Sequence, residues 1–155
     1  PLIAPEMIDE AVAVVAGGSA AGVPEVGTVV RKIESDAELF NPNVVKVALA
    51  PDGRCLYFSR SPIPFGRDIA QKEWLKHHTF YKHIGLYVFT NDFLFQYATM
   101  KQTPLELAEK LEQLRILEHG YGIKAAVTEF DSIPVDTLQD LENVRSMYRS
   151  MHERH

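Results

Sequence analysis

Six side chains in this 155-residue sequence stand where they can do chemistry: Arg60, His83, Tyr87, Glu112, Gln113 and Asp136. Arg60 leaves an apolar run into the proline-stiffened segment SPIPF. A guanidinium held there can fork onto a carboxylate, although a solvated arginine in a surface turn is the simpler reading. His83 opens the run HIGLYVF, and Tyr87 follows four residues later. Strand periodicity places both on one face, where they can line a pocket or form a satisfied, partly buried pair. Glu112 and Gln113 lie between Leu111 and Leu114, at the rim of an apolar helical stripe, where polar groups can read a ligand. Glu106, Glu109 and Glu112 share one helical edge that by default is a solvated acidic face, with Lys110 and Arg115 interleaved. Asp136, just before LQDLENV, can cap a helix or supply the lone carboxylate with which magnesium is often held beside phosphates.

Other reactive residues point elsewhere. His77-His78 and the tail histidines have metal-like spacing but lie among charges in surface segments, and no metal site is expected there. Cys55 sits in the alternating run CLYFS and reads as a small buried strand residue.

The elements that must position these groups are mixed. PEMIDEAVAVVA reads as a helix stopped by Gly17-Gly18, GGSAAGVPE as a surface loop and VGTVVRKI as a strand. NVVKVALAPDGRCLYFSR holds two alternating runs around Pro51-Asp52-Gly53, a hairpin with left-handed geometry expected at Gly53. HIGLYVF is a strand, and Asn91 is expected to cap the helix NDFLFQYATM. Thr103-Pro104 starts one further helix with positions 107, 111, 114 and 117 as its buried stripe, ending near Gly120. GIKAAVTEF is the last strand. A final helix follows, with Leu138, Leu141, Val144 and Met147 spaced as a core face. This order predicts an α/β fold, a layered mixed sheet with an inserted antiparallel β-hairpin, in a single domain over residues 1–155.

With 46% hydrophobic and 24% charged residues the chain has ordinary globular composition and length for one core. A formal charge of -5 and no basic stripe argue against nucleic acid as a partner. No apolar run reaches the roughly 18–20 residues that span a bilayer, the first residues carry acids rather than a basic leader, and the single cysteine excludes an internal disulfide. A cytoplasmic protein without a membrane partner is expected. Glycine-rich phosphate loops of the G-x-G-x-x-G and Walker kinds are absent.

Four ordered blocks carry a family resemblance: NPNVVKV…DGRCLYFSRSPIPF, YKHIGLYVF, TPLELAEKLEQLRILEHG and VDTLQDLENV. In that order and spacing they resemble the 3-deoxy-manno-octulosonate (KDO) cytidylyltransferases. The resemblance implies a nucleotidyltransferase fold, a homodimer, CTP and KDO as substrates, and Mg²⁺. It implies that Arg60, His83, Tyr87, Glu112 and Gln113 lie near the sugar acid and that Asp136 binds the metal. A cytidylyltransferase for another 2-keto acid such as neuraminate, or a non-catalytic dimerisation or ligand-binding module, are the competing readings. The chain resembles the later two-thirds of the family pattern, starting just after the position of a GDE motif. The N-terminal part of the fold is therefore expected to be missing, and the 155 residues alone are not expected to make CMP-KDO. VDTLQDL departs from the family's usual Pro-Glu after the threonine, and Pro134 stands where a small residue is common.

Overall fold

The computed structural model describes residues 3–16, 24–132, 135 and 138–152. Five strands form one mixed sheet: β1 (Val26–Lys32), β2 (Lys46–Leu49), β3 (Cys55–Ser59), β4 (Tyr81–Phe89) and β5 (Ile123–Val127), in the order β3-β2-β4-β1-β5. β1 runs parallel to β5 and antiparallel to β4, while β2 is antiparallel to both β3 and β4. The expected α/β class and the inserted hairpin are both present.

Alternation along β1 explains the two-sided core. Val26 and Val30 face one cluster, with Val47, Phe58, Phe93, Leu114 and Ile123. Val29 faces the other, where Met7 and Ala11 of α1 (Pro5–Ala16) meet Ile84. Helix α1 lies so close that a Cβ on Gly27 would come 2.5 Å from the Ala11 carbonyl oxygen and 2.8 Å from Val15 Cγ2. Gly27 is therefore needed for close approach of helix to strand. A third cluster, Ile33, Leu39, Trp74 and Phe80, involves the short helices α2 (Asp36–Leu39) and α3 (Trp74–His77).

The hairpin turns at Gly53, whose φ of 85° is left-handed as expected. Its tip folds back to β5 through an Arg54–Lys124 bridge and an Ala125 N–H to Gly53 O bond of 2.9 Å. The sheet thus curls around the larger core cluster. Cys55 is buried there, and burial pushes its thiol up to about 12, which leaves no thiolate at neutral pH.

Three local expectations are corrected. Thr90, not Asn91, is the N-cap of α4 (Asn91–Thr99), and it makes no side-chain capping bond. The helix after Thr103 is two helices, α5 (Pro104–Glu109) and α6 (Gln113–Glu118), separated at Lys110 with φ 57° and ψ 47°. Of its predicted stripe Leu111 and Leu114 are buried, whereas Leu107 is 47% exposed. The last helix, α7 (Leu138–His152), leaves Leu138 83% and Met147 37% exposed, so its apolar spacing makes no continuous core face. Among the described residues no helix is long and apolar enough to cross a membrane.

Candidate functional site

The site begins with an irregularity in β4. Its register with β1 jumps from Thr28↔Tyr87 to Val29↔Ile84, so Gly85 and Leu86 are extra residues in a bulge. Two extra residues preserve alternation. His83 opposite Val30 and Tyr87 opposite Thr28 therefore share a face, as strand spacing predicted. Their rings lie 5.1 Å apart, and the buried Phe58 ring meets His83 edge-on at 5.1 Å.

Two cavities adjoin at this bulge, with Gly85 in the wall of both. One, of about 530 Å³, is bounded by Asn43, Val45, Lys82, His83 and Asp131. The other, of about 320 Å³, is bounded by Tyr87, Tyr97, Glu112 and Gln113. A Cβ on Gly85 would meet no atom within 4 Å, so the junction is open space at this position.

Hydrogen bonding orients the groups on the β4 side. The buried Thr28 hydroxyl donates to the Leu86 carbonyl at 2.7 Å and lies 3.0 Å from His83 Nε2. Burial pulls the His83 imidazole down to about 4, so the ring is neutral at physiological pH. Burial, reinforced by the Glu112 carboxylate, raises the Tyr87 phenol, which stays a neutral donor. Lys82 bonds Glu38 at 2.6 Å and Asp131 at 3.1 Å, while Arg31 pairs with the same Asp131.

Opposite β4, Glu112 and Gln113 are placed by the break between α5 and α6. Glu106 is buried at 5% exposure and takes a bidentate bond from Arg115, Nε to Oε2 at 2.8 Å and Nη2 to Oε1 at 2.5 Å. The Arg115 hydrogen bond is the main cause holding the Glu106 carboxyl below its ordinary range. Glu109 accepts from Ser59 Oγ at 2.6 Å and from Arg60 N at 2.9 Å. The predicted solvated acidic edge is therefore corrected: two of its three carboxylates tie helices to each other and to the hairpin. Glu112 alone is exposed, and Gln113 is buried.

Arg60 occupies a different position from the other four. Its guanidinium donates to Glu109 O at 2.8 Å, Pro42 O at 3.0 Å and Lys110 O at 3.4 Å, and it lines neither cavity. It satisfies carbonyls left open where α5 ends in a left-handed turn. The neighbouring Lys46 is fully buried, its ammonium donating to Asn41 O at 2.9 Å and Val44 O at 2.6 Å. Burial first, then the Arg60 charge, lowers its pKa. Asp136 lies outside the described residues, and among those described no group of three or more His, Cys, Asp or Glu is arranged to hold a metal.

Sequence reasoning missed Thr28 and read Glu106 and Glu109 only as solvated acids. A signal for Thr28 was present: it is the one polar member of the core-facing set Val26, Thr28, Val30. For Glu106 the T-x-x-E spacing from Thr103 signals the bond it accepts from the Thr103 N–H at 3.3 Å, whereas its Arg115 partner and the contacts of Glu109 are set by folding.

Comparison with known proteins gives a consistent result. The family model described as Cytidylyltransferase matches residues 1–129. The 3-deoxy-manno-octulosonate cytidylyltransferase of Geobacter metallireducens is 48% identical over 153 residues, covering 93% of this chain and 58% of that protein. The protein of the same name from Geobacter sulfurreducens is 49% identical with the same coverage. A solved structure of CMP:2-keto-3-deoxy-manno-octonic acid synthetase complexed with CTP superposes with a TM-score of 0.85 at 32% identity, over 97% of this chain and 58% of that one. The chain thus spans a little under three-fifths of the length of the relatives it matches.

Proposed function

The chain belongs to the cytidylyltransferase family, and from that premise we propose that the protein transfers a cytidylyl group from CTP to KDO, forming CMP-KDO and releasing pyrophosphate. The observation that carries the reading is the junction at Gly85, where Tyr87, Glu112 and Gln113 face one cavity and His83 the next. A polyhydroxylated acid needs several neutral and anionic hydrogen-bonding groups around an aromatic wall, and this junction offers them. In the proposal His83 and Gln113 hold hydroxyls, Glu112 accepts a hydrogen bond from a further hydroxyl, and Tyr87 gives one face of the sugar a wall. Holding the attacking oxygen in line with the α-phosphorus is the main contribution of such groups to rate.

Arg60 enters as a clamp for the sugar carboxylate only through the N–H groups it does not spend on Glu109, Pro42 and Lys110. Mg²⁺ at Asp136 would supply neutralisation of phosphate charge. The described residues alone provide no cluster for it, and no step here runs through the metal. A homodimer belongs to the proposal on the same family grounds.

The test is steady-state kinetics of the protein expressed from its complete gene. His83→Ala should raise KM for KDO by about tenfold, the worth of one well-placed hydrogen bond, and leave KM for CTP within about twofold. Equal changes in both constants, or turnover of neuraminate in preference to KDO, would refute the assignment.

A further inference from the structure

The junction at Gly85 holds one proton arrangement that is decided by bonding alone. A threonine hydroxyl has a single proton. The Thr28 proton goes to the Leu86 carbonyl, 2.7 Å away, because a carbonyl oxygen only accepts. The contact of 3.0 Å between Thr28 Oγ1 and His83 Nε2 must then have the histidine as donor. In a neutral imidazole this leaves Nδ1 unprotonated. Among the described residues nothing bonds Nδ1, and His83 is partly exposed in the wall of the larger cavity.

We propose that Thr28 is a positioning residue that fixes His83 as the Nε2–H tautomer, so that Nδ1 meets the sugar acid as a lone pair and takes a hydrogen bond from a hydroxyl, never from the carboxylate. The assignment rests on the reading of this junction as the sugar-acid site. It sharpens that reading by stating which part of the ligand His83 addresses.

The fold supports the arrangement at three points. Thr28 is fully buried, so water does not compete for its hydroxyl. Gly85 and Leu86 stand outside the β1–β4 pairing, which leaves the Leu86 carbonyl to take the Thr28 proton. Phe58 meets the His83 ring edge-on and Tyr87 packs against it at the same 5.1 Å, so both rings hinder rotation about χ2. The opposite tautomer would set the Nε2 lone pair against an oxygen whose proton is already used. An unmade buried bond of that kind biases the tautomer by about tenfold or more. The low basicity of His83 acts in the same direction, because it keeps Nδ1 from becoming a donor at neutral pH.

The experiment is ¹⁵N–¹H correlation spectroscopy on the intact protein labelled at histidine, with His83→Gln used to assign the His83 signal among those of the other histidines. At pH 7.5 the wild type should show a protonated Nε2 and a bare Nδ1. Thr28→Val keeps the β-branched shape and should move both nitrogens towards averaged values, while Thr28→Ser should restore them. Thr28→Val should also raise KM for KDO roughly three- to tenfold with KM for CTP unchanged, and serine should rescue it. A protonated Nδ1 in the wild type overturns the proposal, and so does a Thr28→Val spectrum identical to the wild type. The wild-type spectrum decides even where Thr28→Val fails to fold. An unchanged KM for KDO in His83→Gln, alongside the expected tautomer, instead removes the sugar-acid site on which the second half rests.

Discussion

Replacing Arg115 by methionine tests how the α5–α6 corner presents Glu112 and Gln113. The guanidinium makes two short bonds to Glu106, donates to the Met100 carbonyl at 3.3 Å and lies 5.3 Å from the Tyr97 ring centre. Methionine keeps much of the side-chain volume and removes every polar contact. It leaves a covered carboxylate whose remaining donors are the Thr103 N–H at 3.3 Å and the Gln102 amide at 3.5 Å. Stripping one partner from a deeply buried pair costs about 3–5 kcal/mol. Here Arg115 is 17% exposed and the pair lies close to the surface, so solvent relieves part of the loss. The expected destabilisation is about 2–3 kcal/mol. Urea unfolding of the wild type, Arg115→Met, Glu106→Gln and the double variant gives the pair its coupling energy, expected at about 1.5 kcal/mol or more. Because α6 carries Gln113 on its first turn, the single variants should also raise KM for KDO. A coupling below about 0.5 kcal/mol would refute the claim that this pair holds the corner.

Two further perturbations address the sheet. Gly27→Ala should destabilise by about 1–3 kcal/mol, because its new methyl meets a backbone oxygen at 2.5 Å that cannot move alone; a midpoint unchanged in urea would show that α1 is not seated as described. His83 should make stability fall with acid. Its folded pKa of about 4 lies below the value of 6.5 for a free imidazole, so the unfolded chain binds the proton first. The contribution is complete above pH 6.5 and is lost as pH falls towards 4, amounting to roughly 2 kcal/mol at pH 4.5 after allowance for partial exposure. Chemical denaturation at pH 7.5 and 4.5 should show this difference in the wild type and not in His83→Gln; parallel behaviour of the two would remove His83 as the titrating group.

Short-range physics made much of this protein readable from its sequence. Alternation along HIGLYVF placed His83 and Tyr87 on one face, and the turn PDG required the left-handed Gly53 that the fold contains. The ordered blocks carried the family, since they preserve residue types at fixed intervals. Other features were decided only by tertiary structure. Lys110 adopts a left-handed conformation that its side chain does not favour, and Arg60, 50 residues earlier, donates to the Lys110 carbonyl at 3.4 Å and to that of Glu109 at 2.8 Å. Glu106 looked like a solvated acid until Arg115 folded against it, nine residues on and across that break. The apolar spacing of α7 satisfied helical periodicity, yet Leu138 is left exposed. Thr28 and His83 are separated by 55 residues, and the proton between them is placed by a bulge that neither residue encodes. Periodicity reports which face a side chain takes. Only the packing of distant strands and helices decides what that face finds there, and with it the charge and the tautomer that the chemistry uses.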